Sequence, residues 1–292
     1  MRIVAHAVPD HAPRPAPRDG CVNALTVDVE DWYHDESRGA GPATAATRAT
    51  FFFLAGVAAQ HPRLTRAIAD AGHEIACHGL RHVPVSLRTR ADVRDDVRRA
   101  RATIEDVTGL AVRGFRAPCF VREARHLWLL DELAEAGFAY DSSWLPLRYA
   151  PGAVPLVGGT RGPARLANGL WELPLPVSRI AGHELPVAAG GFALRALPLA
   201  FTVRHVRRFN REVGPAIVYT HPWEIDPESP KLPGTRGYVR FFNGIGRRTM
   251  ADKLARLVRE LRFAPIAEVY ARELAGDSSG DAATLSATTR SR

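Results

Sequence analysis

Cysteine is nearly absent from this chain: Cys21, Cys77 and Cys119 are its three, with no Cys-x-x-Cys pair. An odd, widely spaced set excludes a disulfide framework and a cysteine-based zinc knuckle, and it fits a reducing compartment. Cys77 and Cys119 both read as small buried hydrophobes. Long apolar runs are missing as well. No stretch approaches the roughly 18 apolar residues that cross a bilayer, so no transmembrane segment is expected. Residues 1–20 are polar, rich in His and Pro, and lack the apolar centre of a secretory signal. They read as a flexible leader on a cytoplasmic protein. Lysine occurs only at Lys231 and Lys253, so arginine carries nearly all of the net charge of +8. The arginines alternate with acids, as in Arg94-Asp95-Asp96-Val97-Arg98-Arg99, which is the pattern of a solvated helix face. No aromatic RNA-binding motif stands beside them, so no nucleic-acid partner is expected. No internal repeat is present, which excludes a solenoid.

What is there is an ordinary globular composition, 46% hydrophobic and 24% charged over 292 residues, enough for a large core. Apolar strands alternate with amphipathic helices. Leu25, Val27 and Val29 face one way on an extended stretch, and Thr26, Asp28 and Glu30 the other. Thr50 to Leu54 is a wholly apolar strand, followed by a helix from His61-Pro62 to Ala71 stopped by Gly72. Glu74-Ile75-Ala76 is a third strand. Thr89 with Asp92 forms a capping box for a helix whose inward stripe is Val93, Val97, Ala100, Ile104 and Val107, ended by Gly109. Ala111 to Phe115 and Phe138 to Tyr140 are further strands, separated by a helix over 124–136. Leu170 to Pro174 and Ala216 to Thr220 are strands again, and Leu197–Glu212 and Thr249–Arg262 are helices. In the first of these two helices, Phe201, His205 and Phe209 share a face. This alternation predicts a parallel α/β architecture over 21–272, with a disordered tail at 273–292.

Chemistry gathers where strands end. His78 and His82 stand four apart beside Gly79, close enough to share one metal ion. A catalytic zinc takes three protein ligands, so a carboxylate from elsewhere is needed. In a parallel barrel the strand ends share one face, which brings the acids after Val27, the histidine pair, Arg116, Asp141 and His221 into one cleft. Such a set suits metal-assisted hydrolysis. Asp28 would act as general base, Arg116 would pair with it and keep it ionised, and His221 would protonate the leaving amine.

These motifs together resemble the polysaccharide deacetylase (NodB-type carbohydrate esterase) family over roughly 23–269. Its exopolysaccharide-locus branch, kin to peptidoglycan deacetylases and allantoinase-like enzymes, is the most similar. The segments carrying the likeness are Thr26 to Trp32, Gly72 to His82, Gly114 to Pro118, Tyr140 to Trp144 and Val218 to Glu224. The resemblance implies a distorted (β/α) barrel, a divalent metal (commonly zinc), and removal of acetyl groups from an N-acetylated glycan. Position by position it assigns Asp28 as base, Arg116 as its support, His221 as acid and His78 and His82 as metal ligands. It also assigns Asp141 and Trp144 to a motif forming one wall of the groove, as structural or sugar-contacting residues, and Pro118 to substrate binding. For the carboxylate ligand both Glu30 and Asp31 stand open, because a valine follows Asp28 where many members have a second aspartate.

One departure concerns 33–49, which has no apolar helical stripe where the family has a full helix. A parallel crossover fits in that length, but part of the sheet would lie uncovered. An amidohydrolase acting on a non-sugar C–N bond and an inactive glycan-binding relic therefore remain alternatives. The sequence leaves oligomeric state, sugar identity and the polymeric or lipid-linked nature of the substrate open.

Overall fold

The computed structural model describes residues 20–30, 47–147, 160–228 and 237–275, with 237–240 as backbone only. The alternating stretch forms β1 (Val22–Val29). Beside it in sequence order, and all parallel, lie β2 (Thr50–Phe53), β3 (Glu74–Cys77), β4 (Gly114–Phe115) and β5 (Tyr140–Asp141). β6 (Ala164–Arg165) is an antiparallel edge on β7 (Trp171–Glu172), which pairs with β5. A separate hairpin, β8 (Ser178–Ile180) and β9 (His183–Leu185), follows. β10 (Ile217–Thr220) lies on the other side of β1, and β11 (Arg262–Ala264) pairs with its start.

The nine-stranded sheet is curled into a distorted, open (β/α) barrel. Contacts across its hollow make the curl explicit. Strands β1 and β4 are three spacings apart, about 14 Å in a flat sheet. Yet Arg116, just past β4, reaches Asp28 on β1 at 2.7 Å. Alternation puts Ala24, Phe52, Ala76 and Tyr140 into this hollow, all fully buried. At its N-terminal end a polar plug is fully bonded: Glu74 accepts from Thr50 Oγ1 at 2.6 Å, Tyr140 Oη at 2.9 Å and Ala267 N at 3.0 Å. Close packing here leaves no room for a side chain at Gly114, where an added Cβ would sit 2.1 Å from the Tyr140 ring.

Helices cover the outer face. After β2 come α1 (Ala55–Gln60) and α2 (Pro62–Asp70); α3 (Arg90–Thr108) joins β3 to β4 and α4 (Trp128–Glu135) joins β4 to β5. The capping box at Thr89 and Asp92 is present and Gly109 closes α3 at φ 70°. Val93, Val97, Ala100 and Ile104 are buried against Phe53, Val57 and Leu133. A second helical layer, α5 (Gly191–Ala196), α6 (Leu199–Glu212) and α9 (Arg247–Glu260), packs on β10. Between them lie α7 (Pro222–Ile225) and α8 (Gly237–Gly244). Last come α10 (Ile266–Val269) and α11 (Ala271–Leu274), with Ile266 and Tyr270 closing the hollow.

Several elements depart from the sequence expectation. α1 starts after Leu54 without a side-chain cap, and α5 begins on Gly191 with Gly190 as its cap, so neither carries a side-chain start signal. Sheet pairing trims β4 to two residues of the five expected. Phe201 is 36% exposed, although its predicted face-mates His205 and Phe209 are buried. Cys77 is buried as expected, but Cys119 is exposed. The boundary placed at 272/273 falls inside α11. Residues 1–19 and 276–292 lie outside the described residues, as does most of 33–49. Beside that segment, the register partners Val27 and Phe51 on the outer face are only half buried. His73 Nδ1 accepts from Ala49 N, and its ring meets Phe51 edge-on at 4.9 Å.

Candidate functional site

Strand periodicity decides which acids reach the cleft. Thr26, Asp28 and Glu30 are on the hollow side of β1, and the first two are buried while Glu30 stands at the mouth. Arg116 is fully buried and makes four side-chain hydrogen bonds. Its Nη1 donates to Asp28 Oδ1 at 2.7 Å and to Thr26 Oγ1 at 2.8 Å; Nε and Nη2 donate to Ser142 O and Oγ at 3.0 and 3.1 Å. Its guanidinium lies 4.2 Å from the Phe52 ring centroid. The Asp28 carboxylate is thus held in one orientation by a cation that cannot lose its proton.

Past β3, Gly79 takes φ 88°, and the chain turns so that both imidazoles face Glu30. His78 Nδ1 lies 2.8 Å from the Arg116 carbonyl, an acceptor, so Nδ1 carries the hydrogen and Nε2 keeps its lone pair. That Nε2 is buried and has no hydrogen-bond partner. It is 3.6 Å from Glu30 Oε1, and His82 Nε2 is 3.0 Å from the same oxygen. Among the described residues, Glu30, His78 and His82 form the one cluster of three or more such ligands within 4.8 Å of each other. An orphaned imidazole nitrogen beside a second imidazole and a carboxylate is the donor set of a catalytic zinc, and the residues fit such an ion. Of the two candidate acids, Glu30 is the one brought to the histidines; Asp31 lies outside the described residues. Burial works to raise the Glu30 pKa, but the three imidazoles gathered around its carboxylate, His221, His78 and His82, outweigh it and hold the group far below the usual carboxylate range. The bond to Glu30 in turn raises His82.

His221 arrives from β10 on the opposite side, with Nε2 3.4 Å from Glu30 Oε1. Its Nδ1 lies 3.1 Å from Glu224 Oε2, and its backbone N–H donates to the same oxygen at 3.0 Å. Glu224 is 1% exposed and is paired on its other oxygen with Arg195 Nε at 2.6 Å. Burial works against the charged His221 ring, but the Glu224 and Glu30 carboxylates prevail and push it up to about 10. The chain Arg195–Glu224–His221 was not legible as such. Glu224 had a signal, since it follows His221 by three residues in a turn beginning with Pro222. Arg195 had none.

The residues expected on the groove wall are instead behind it. Asp141 is 0% and Trp144 1% exposed, and Pro118 is buried against Gly79. None has free surface for a sugar. Asp141 Oδ1 accepts from Ser143 Oγ at 2.5 Å, and that oxygen accepts from Ala117 N at 2.7 Å, so the aspartate braces the Arg116 loop. Burial raises the pKa of Asp141 and, more strongly, of Glu172 behind it, where the Asp141 carboxylate adds to the effect. In that loop Cys119 adopts φ 62°, unusual for a residue with a side chain. Beyond the turn, Phe120 meets the Tyr219 ring edge-on at 4.9 Å.

A family model described as polysaccharide deacetylase matches residues 43–139, and one described as a domain of unknown function (DUF3473) matches 142–271. A Mycobacterium smegmatis protein assigned as a polysaccharide deacetylase shares the fold at a TM-score of 0.54 and 22% identity, over 95% of this chain and 98% of its own. A family 4 carbohydrate esterase from Streptomyces lividans, solved in complex with acetate, is 18% identical over 83% of this chain and 91% of its own, TM-score 0.45. A CE4 family pseudoenzyme from Bacillus anthracis is 13% identical at a TM-score of 0.46; 86% of this chain matches it, spanning 66% of that protein. The polysaccharide deacetylase model covers residues 43–139, about a third of the chain, and over that stretch, which holds His78, His82 and Arg116, the chain carries a polysaccharide deacetylase domain.

Proposed function

We propose that the chain is a divalent-metal hydrolase that removes N-acetyl groups from a polysaccharide or glycan precursor. The observation that carries this is the convergence, at one end of the barrel, of the Glu30–His78–His82 cluster with the Arg116-held Asp28 and the Glu224-held His221. Glu30, His78 and His82 would hold the ion, for which zinc suits two imidazoles and a carboxylate. Once bound, such an ion supplies Lewis-acid polarisation of an acyl oxygen and makes water acidic near neutral pH. Asp28, locked by Arg116, takes the proton from the attacking water. His221, kept protonated by Glu224, gives a proton to the departing amine, so acetate and a free amino sugar leave. The likeness to the exopolysaccharide-locus branch supports a place in exopolysaccharide biosynthesis, and the scarcity of cysteine supports a cytoplasmic setting. No helix among the described residues is long and apolar enough to cross a membrane.

Acetate release from N-acetylated oligosaccharides, with zinc or cobalt supplied, tests the reading. The wild-type protein is expected to release acetate and Asp28→Asn to lose about 10²- to 10⁴-fold in kcat, the span of a positioned base. Folded, metal-loaded protein that releases none, or an Asp28→Asn variant as fast as wild type, would overturn it. Release from a cyclic ureide instead would favour the non-sugar amidohydrolase.

The Glu224–His221 pair sets a pH dependence. A general acid works while protonated, so the rate falls as pH rises through the His221 pKa. Replacing the carboxylate by a neutral amide removes the charge that raises this pKa. Glu224→Gln should therefore move the alkaline limb of the kcat/KM profile to lower pH, by about one unit or more. An unmoved limb would remove His221 as the acid.

A further inference from the structure

The charge run of α3 hides one residue that is not at the surface. Arg94 to Arg99 reads as a solvated helix face, and Asp95, Arg98 and Arg99 are exposed, yet Asp96 is 5% exposed. Its Oδ2 accepts from the Leu80 backbone N–H at 2.8 Å, and its Oδ1 pairs with Arg88 Nη1 at 2.8 Å. Leu80 is the middle residue of the loop from His78 to His82. We propose that Asp96 is a positioning residue for the metal cluster: through Leu80 it sets where His82 stands, and so how tightly the cluster holds its ion. The inference rests on the reading of Glu30, His78 and His82 as that cluster.

The two histidines are supported unequally. His78 follows directly on β3, donates through its backbone N–H to Phe53 O at 2.7 Å, and bonds the Arg116 carbonyl through Nδ1. Gly79 O and Leu80 O accept from Ala55 N and Gly56 N at 2.9 and 3.2 Å. Those are the first two amides of α1, so the ligand loop supplies acceptors to a helix end that lacks a side-chain cap. An added Cβ at Gly79 would lie 3.3 Å from Asp96 Oδ2 and 3.5 Å from Pro118 Cγ, so the carboxylate fits directly against the turn. Past Leu80 the loop bonds to itself, with Val83 N donating to Arg81 O at 2.8 Å, and Arg81 and His82 are exposed. The Asp96 bond is therefore the last hydrogen bond from a helix to the loop backbone before His82 among the described residues.

A carboxylate suits this task because an ionised acceptor holds an amide more firmly than a neutral one. Arg88 offsets the cost of burying the charge, and its Nη2 donates to Asp92 O at 2.9 Å, beside the Thr89–Asp92 capping box. The anchor thus sits in the first turns of a 19-residue helix and passes that rigidity to the ligand loop. A loop already ordered before the ion arrives loses less affinity to its own ordering. Loss of the anchor should free His82 while leaving His78 in place.

Zinc dissociation constants of the full chain, measured without substrate by competition with a chromophoric chelator, test this. Asp96→Ala should raise the constant about 10- to 100-fold, the usual effect of removing a group that orients a metal ligand. Asp96→Asn, which keeps an oxygen for the Leu80 amide, should recover most of the loss. In a His82→Ala background, Asp96→Ala should add less than about threefold, because the ligand it places is gone. Should Asp96→Ala not fold with Arg88 left unpaired, Arg88→Ala combined with Asp96→Ala removes both charges and carries the same expectation. Wild-type affinity in Asp96→Ala overturns the positioning role. So does an equal loss in both backgrounds, or an Asp96→Asn variant as weak as Asp96→Ala, since general destabilisation would produce either. A wild-type chain that takes up no zinc overturns the cluster and this inference with it. Affinities that shift as expected without any acetate release support the anchor and count against the deacetylase reading alone.

Discussion

His78→Ala combined with His82→Ala is expected to strip the protein of its metal and to lower acetate release by at least about 10³-fold, more than one lost catalytic donor costs. The double variant leaves Glu30 as the sole member of the cluster, and one exposed-edge carboxylate does not hold a zinc ion against water. His78 loses only its bond to the Arg116 carbonyl, a contribution of about 1 kcal/mol, and His82 is partly exposed. The chain should therefore stay folded, and metal content by plasma mass spectrometry can be read beside a melting curve. Wild-type metal content in the double variant would rule out these imidazoles as ligands. Metal loss with undiminished acetate release would instead separate the ion from the chemistry.

Arg116→Met should be the most damaging single change to the fold, at about 3–5 kcal/mol, because it leaves the buried Asp28 carboxylate without its counter-charge. Thr26 and Ser142 lose their donor at the same time, and Phe52 loses the cation over its ring. For a chain of this length that corresponds to a fall in melting temperature on the order of 10 °C. Arg116→Lys should recover only part of it, since an ammonium cannot reach Asp28, Thr26 and Ser142 from one place. A melting temperature for Arg116→Met within about 2 °C of wild type would show that the buried pair does not support the barrel. The same substitution frees the base to rotate, so residual activity should be lost even where the protein remains folded.

The sequence carried these two predictions unequally. The histidine pair was visible as a spacing beside a glycine. The pairing of Arg116 with Asp28 was expected from strand ends meeting in a barrel, but its multiple bonds to Ser142 were not. Alternation along β1 put Asp28 and Glu30 on one side before any coordinates, because a strand reverses direction at every residue. The capping box of α3 was legible for a similar reason: Thr89 and Asp92 bond only to their own turn. α5 was invisible because its start is set by Gly190 and Gly191 lying on Tyr219, a residue distant in the chain. For Asp141 and Trp144 the sequence left structural and sugar-contacting roles open, and their burial, which depends on how far the sheet curls past β5, favours the structural one.

Local interactions, then, are what the chain's order of residues settled: strand sidedness, helix caps and the spacing of the paired histidines. Tertiary structure alone decided that Glu30 meets both imidazoles, that Glu224 and Arg195 stand behind His221, and that Asp96 anchors Leu80 between the histidines. The division is physical. Periodicity and capping act within a few residues, whereas each of these later contacts joins elements whose separation is fixed only when the sheet closes on itself.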